Sequence, residues 1–306
     1  MSLVFLGVLT LLTLASCTLP ATELAGIALI YGISIYDGDF PEGVGNNLTY
    51  ADDDAVAMAS MLAEMNYQVI LRTDEQATLE NLVTDIALTK DVIAGNENFV
   101  FYFSGHGVSS FVGAVGDAEH EPEGRNIFNE WIFLYGSADY DSIADLTKAL
   151  SDDGLRELLS PIPTARKIVI IDACNSGGFI GSQQEIDTVP QDSDGSDRED
   201  LLAALQRLAA LPGSPSVDIP ASDALVIAAA GEQEDTYEYP AYGHGVFTYH
   251  LLNAPAEGDL NDDGYVTAVE CYAYTSNMIA ETWESIAFQP RISGGPVDFA
   301  LFRSTP

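Results

Sequence analysis

The chain has 306 residues, 47 Asp and Glu against 11 Lys and Arg, a formal net charge of −36 and three cysteines. So acidic a chain has no basic footprint for phosphates, which excludes a nucleic-acid binder and a polybasic lipid-docking protein and favours cationic partners. Cys17, Cys174 and Cys271 are too few and too widely spaced for a disulfide framework or a zinc site, so each needs its own explanation. The acidic surplus has a plainer reading as well, since it keeps a secreted or salt-exposed protein soluble. At this length, with 47% hydrophobic residues, the chain can bury the core of one large α/β domain or two small ones.

Residues 3–15 form an uncharged apolar run of 13, the length of a signal-peptide core and short of the roughly 18 that a spanning helix needs. Leu14, Ala15, Ser16 and Cys17 follow it and resemble a bacterial lipoprotein processing site, although no Lys or Arg precedes the run. The resemblance implies removal of residues 1–16 and acylation of Cys17. The protein would then sit in the cell envelope and touch membrane only through its lipid.

Beyond this segment, apolar runs alternate with helical periods. Residues 26–35 (GIALIYGISI) read as a buried strand, 51–65 as an amphipathic helix, 67–71 as a strand and 78–92 as a helix. Strands are predicted at 98–104, 131–135, 167–173 and 224–230, with a helical stretch at 143–159. Strands that are continuously apolar and alternate with helices imply a mainly parallel sheet covered on both faces. Residues 181–222 break the alternation with eight acids, two arginines (Arg198 and Arg207) and a single short apolar helix pattern at 201–211. So long an excursion between strands is usually functional or disordered.

Two predicted strands end in reactive residues. The strand at 98–104 runs into Gly105-His106-Gly107, and that at 167–173 runs into Cys174 and a glycine-containing turn. An open parallel sheet places its chemistry at such carboxyl ends. A thiol needs a base to become a nucleophile near neutrality, and a histidine on an adjacent strand end can supply one. Flanking glycines let backbone amides approach a developing oxyanion. A buried, inert cysteine is the competing interpretation.

YFSGHG at 102–107 and DACNSG at 172–177 resemble the two catalytic motifs of the caspase-like cysteine peptidases, particularly the bacterial metacaspase type. LTYADDDA at 48–55 and GHGVFTYHLL at 243–252 resemble further segments of that family, so the likeness runs from about residue 27 to residue 302. The resemblance implies a three-layer α/β fold with a mainly parallel six-stranded sheet and helices on both faces. It divides residues 24–306 into a large-subunit-like part (24–180), the acidic linker (181–222) and a small-subunit-like part (223–306). It implies Cys174 as nucleophile, His106 as acid and base, and the backbone N–H groups of Gly107 and Cys174 as oxyanion donors. Asp172 and Asp54 fall where the basic-specific members bind a substrate Arg or Lys, which two carboxylates would hold by charge-assisted hydrogen bonds. For Asp54 an ordinary acid in the first turn of a helix is the alternative. Self-processing after Arg198 or Arg207 is expected, and related metacaspases imply a monomer. His244, in a second GHG, opens a helix and is not placed at a strand end, so His106 is preferred as base. His120 and His250 have no supporting context.

Residues 259–270 (DLNDDGYVTAVE) carry a calcium-loop pattern of their own. Asp259, Asn261 and Asp263 stand at positions 1, 3 and 5, Gly264 at 6, the Tyr265 carbonyl at 7 and Glu270 at 12, as in an EF-hand. Thr267, at position 9, would act directly or through water. A bound calcium ion, structural or activating, is therefore expected, and Cys271 behind it reads as a core residue. The chain is thus expected to be a lipid-anchored, calcium-dependent cysteine endopeptidase acting on peptides with basic residues. The alternative from another class is a noncatalytic, calcium-stabilised binding module of the envelope.

Overall fold

The computed structural model describes residues 26–36, 47–115, 125–136, 149–174, 224–231, 234–283, 288–295 and 297–305. Cys17, His120, Arg198 and Arg207 lie outside them, as do the predicted signal segment and the linker. In chain order the elements are β1 (Gly26–Gly32), α1 (Ala51–Glu64), β2 (Tyr67–Thr73), α2 (Leu79–Val92), β3 (Asn98–Ser104), β4 (Gly107–Val115), β5 (Arg125–Ile132), β6 (Leu150–Ser151), α3 (Asp152–Leu159), β7 (Lys167–Asp172), β8 (Leu225–Ala228), β9 (Glu238–Tyr239), β10 (His244–Gly245), α4 (Val246–Glu257), β11 (Tyr265–Thr267), α5 (Ala268–Thr282), β12 (Arg291–Gly294) and β13 (Ala300–Arg303).

The central sheet has six strands in the order β12-β8-β7-β3-β1-β2. All neighbours are parallel except β12, which runs antiparallel to β8. Parity explains why its strands read as unbroken apolar runs. In β3, Val100 and Tyr102 face one core while Phe99, Phe101 and Phe103 face the other, and β1, β7 and β8 repeat this division. With both faces buried, no polar alternation survives in the sequence. Helices α1, α4 and α5 cover the first face through residues such as Met58, Leu62, Phe247, Leu251 and Ile279. Helices α2 and α3 cover the second through Leu82, Ile86, Leu155 and Leu159.

The direction of sheet growth reverses at β1, with β2 on one side and β3, β7 and β8 on the other. Right-handed crossovers then require α1 and α2 to lie on opposite faces, as they do, and such a reversal opens a crevice at the carboxyl ends of β1 and β3.

Three sequence expectations need correction. Of the stretch expected to be helical over 143–159, residues 143–148 lie outside the described residues, and the rest holds a short strand, β6, before α3, which begins at Asp152 because the Ser151 hydroxyl accepts the Gly154 N–H and caps the first turn. The strand expected at 131–135 is only the end of β5, in a separate antiparallel sheet with β4 and β6; Phe133 and Leu134 are buried without joining a strand. The edge strand β12 was not anticipated, since four residues ending in glycine give too short a signal.

Candidate functional site

Strands β3 and β7 are neighbours, with Ser104 paired to Asp172. The Gly105 N–H extends the ladder by donating to the Asp172 carbonyl at 3.1 Å. His106 and Cys174 are each the second residue beyond that Ser104–Asp172 pair, so the register brings the two segments side by side at the carboxyl edge of the sheet. At Gly107 a Cβ would lie 2.6 Å from the Cys174 carbonyl oxygen and 3.0 Å from the Ala173 Cβ. Only glycine permits this approach of the two backbones.

His106 is held from outside the strand. Its N–H donates to the Tyr36 hydroxyl at 2.8 Å, its carbonyl accepts the Phe133 N–H at 3.1 Å, and its ring lies 5.0 Å from that of Tyr36. Tyr36 comes from the segment after β1, so three successive strand ends contribute here.

Cys174 is half-buried, with Sγ 3.9 Å from the Thr236 carbonyl and 3.8 Å from its hydroxyl. Burial pushes the thiol up; contacts with Thr236 oppose this, and the negative fields of Asp235 and Asp172 add to it. The resting thiol is therefore protonated at neutral pH, and a base must remove the proton before sulfur can attack. Cys271 is fully buried in the core on α5, where burial likewise pushes the thiol up.

Asp54 and Asp172 are brought together from α1 and β7. They are 1% and 5% exposed, and a Cβ on Gly245 would lie 3.0 Å from Asp54 Oδ2 and 2.9 Å from Asp172 Oδ2. The glycine leaves room between two buried carboxyl groups. Asp54 accepts from the Gly245 N–H at 3.2 Å and from the Ser104 hydroxyl at 3.3 Å, and its Oδ1 lies 2.7 Å from His244 Nδ1. Asp172 accepts from the Thr248 hydroxyl at 2.6 Å, and Tyr102 meets that same hydroxyl at 2.6 Å. Burial raises both carboxyl groups; Asp172, with the Asp54 charge also acting on it, reaches about 7. The Asp54 hydrogen bond is the main cause that raises His244 above its ordinary value.

Ser104, Thr248, Thr236 and Glu238 belong to this region and were not singled out by the sequence, and His244, which the sequence weighed only as a base, belongs to it too. Glu238 accepts from the N–H groups of Thr49 and Tyr50 at 2.7–2.9 Å, and so caps α1 from 188 positions away, where Tyr50 gives no side-chain cap of its own. The GHG before α4 was the available signal for His244, whose ring meets the Asp54 carboxyl group. His250, also on α4, is buried and held down at about 4 by desolvation, so it stays neutral.

The loop before α5 folds around its own side chains. Asp259 accepts from the N–H groups of Asp263 and Gly264 at 3.1 and 2.9 Å, Asn261 from Asp263 at 2.9 Å, and Asp263 from Tyr265 at 2.9 Å. Gly264 takes φ +88° to close the turn. Thr267 and Glu270 form a reciprocal capping box at the start of α5. Glu270 is fully buried, its Oε2 accepts the Thr267 N–H, and its Oε1 has no partner among the described residues. Burial raises the Glu270 carboxyl, and the Asp263 and Asp298 charges raise it further. Among the described residues no three His, Cys, Asp or Glu side chains form a ready-made metal cluster. The donor set instead mixes carboxylates with an amide and a carbonyl oxygen. An orphaned buried oxygen in a surplus of negative charge fits a hard cation.

The structure aligns with the crystal structure of protein GSU0716 from Geobacter sulfurreducens at a TM-score of 0.54 and 20% identity, covering 89% of this chain and 94% of that one, a likeness of fold alone. No curated protein matches the sequence. The family model described as "Caspase domain" matches residues 25–268, and the chain belongs to that family of cysteine peptidases.

Proposed function

We propose that the chain is a cysteine endopeptidase that hydrolyses peptide bonds after Arg or Lys. The observation that carries this reading is the β3–β7 register, with His106 and Cys174 each two residues beyond the Ser104–Asp172 pair, together with the burial of Asp54 and Asp172 around Gly245. In the proposed mechanism His106 takes the thiol proton as Cys174 Sγ attacks the scissile carbonyl. The N–H groups of Gly107 and Cys174 hold the oxyanion, and His106 returns the proton to the leaving amine. Water, activated by the same imidazole, then releases the acyl group from sulfur. The two carboxylates bind the cationic side chain before the scissile bond, with Arg preferred for its bidentate fork.

A thiol-reactive peptide with Arg next to its warhead tests this reading. Labelling at Cys174 that is lost in Cys174→Ala and suppressed by excess Arg ester is the expected result. Labelling that ignores the Arg, or falls on Cys271, overturns it. The pocket makes a steric prediction as well: Gly245→Ala places a methyl group against both carboxyl groups and should weaken Arg peptides about tenfold in KM, the scale of one disturbed charge-assisted hydrogen bond.

Asp259, Asn261, Asp263, the Tyr265 carbonyl and Glu270 would hold calcium, which would neutralise these acids and tie α5 to the loop. Calcium at a hundredfold over its Kd should add about 2.7 kcal/mol. Melting temperature should accordingly rise by several degrees, fall back with a chelator and stop responding in Glu270→Gln. Melting that ignores both calcium and chelator excludes the site. Self-processing after Arg198 or Arg207 and a lipid anchor at Cys17 complete the proposal. Mass spectrometry of incubated protein should find new termini after those arginines; an intact chain counts against processing.

A further inference from the structure

The proposed substrate pocket already contains a cation of its own. His244 Nδ1 lies 2.7 Å from Asp54 Oδ1, and Gly245, the next residue, separates Asp54 from Asp172. Asp54 and Asp53 on α1 act on the imidazole; Asp172 at the end of β7 lies beside Gly245 with Asp54, and Glu238 on β9, which pairs with β10, acts on Asp172. Among the described residues no Lys or Arg forms an ion pair with any of these four acids. In a chain with 47 acidic and 11 basic residues, His244 is, among the described residues, the one ionisable cation in hydrogen-bond contact with these carboxyl groups. Its side chain is 24% exposed while that of Asp54 is 1% exposed, so the ring stands between the buried carboxylate and solvent.

We propose that His244 is a built-in counter-cation of this pocket, exchanged for the substrate's guanidinium or ammonium group, so that each binding event expels protons to solvent. The inference rests on the Arg- or Lys-binding reading of the pocket given above. Two buried carboxylates this close cannot both stay ionised without positive charge between them. Without substrate one charge is balanced by the imidazolium on Asp54 and the other by a proton on Asp172, whose side-chain donor among the described residues is the neutral Thr248 hydroxyl. An arriving guanidinium supplies the same positive charge from the substrate. The imidazolium then loses the proton on Nε2, keeping neutral Nδ1–H toward Asp54, and Asp172 gives up its own proton. Both protons pass to buffer, no bond to carbon is made or broken, and the pocket ends with two carboxylates facing one guanidinium.

The sign follows from linkage. Both groups are raised above their ordinary values, Asp172 to about 7, so acid keeps both protonated and they compete with the substrate cation. Affinity for cations should increase as pH rises through this range, by about tenfold per pH unit for each proton displaced.

Benzamidine, a cation with no scissile bond, is the probe, measured by calorimetry on the full chain in phosphate and in Tris. At pH 6.5 the apparent enthalpies should differ between the buffers by the ionisation heat of one or more protons per benzamidine bound. The difference should shrink by pH 8.5. His244→Gln should release fewer protons and, at pH 6, bind benzamidine several-fold more tightly than the native chain. Equal enthalpies in the two buffers at pH 6.5 overturn the exchange without any variant being needed. Weaker binding by His244→Gln at pH 6 also overturns it, because the ring would then serve only to orient Asp54. If benzamidine does not bind at any pH, the basic-specific pocket fails first and the exchange falls with it.

Discussion

Exchange of Asp172 for asparagine should lower kcat/KM for Arg peptides roughly 10²- to 10³-fold, the cost of removing one partner from a desolvated charge pair. The same exchange should make the protein more stable. A carboxyl held at about 7 rather than near 4, as Asp172 is, costs the folded chain on the order of 4 kcal/mol at pH 8. Asparagine retains an oxygen acceptor for the Thr248 hydroxyl and carries no charge to desolvate. Part of that cost should return as several degrees in Tm. Because the folded-state value is raised, the native fold binds more protons than the unfolded chain between about pH 4 and pH 7. The contribution of Asp172 to stability therefore declines as pH rises through that window, and the gain in Asp172→Asn should be absent near pH 4 and largest at pH 8. Melting curves across this range, beside Arg-peptide kinetics, check both halves. A Tm gain that is larger at pH 4 contradicts the assigned desolvation, and undiminished turnover contradicts the pocket.

Cys174→Ala should leave no measurable turnover, a loss of at least about 10³-fold, because in the proposed mechanism its sulfur carries the acyl group. Cys271 does not substitute, being fully buried in the core. The state of the resting thiol adds a sharper expectation. Burial, Asp235 and Asp172 all favour the neutral thiol, so iodoacetamide should alkylate Cys174 slowly at pH 7 and faster as pH rises. His106→Ala should cost turnover about as heavily as the loss of sulfur, since no pre-formed thiolate remains to act without a base. Fast alkylation at pH 6 would instead indicate a stored ion pair, and retained turnover in Cys174→Ala would remove the peptidase assignment.

The order of strands and helices, and the strand ends that carry His106 and Cys174, were legible because β1, β3 and β7 are buried on both faces and must be apolar throughout. The glycines beside His106 were legible for a related reason: at Gly107 the backbones of two strand ends pass too close for a Cβ. Boundaries were less clear where side-chain periodicity competes with capping, as at Ser151, or where a strand is as short as β6 and β12. For β5 the apolar signal at 131–135 marked burial correctly but not the sheet, since Phe133 and Leu134 enter the second core as irregular chain.

The sequence by itself determined the family-level architecture, the two strand-end motifs and the twelve-residue acidic loop, because each depends on local spacing and on a uniform apolar environment. The meeting of Asp54, Asp172 and His244 was decided only by tertiary structure. Asp54 and His244 are 190 positions apart, Asp172 and Thr248 76, and Glu238 caps a helix 188 positions upstream. What these groups do depends on their proximity: desolvation raises the carboxyl groups of Asp54 and Asp172, the Asp54 hydrogen bond raises His244, and no local pattern in the chain encodes that meeting.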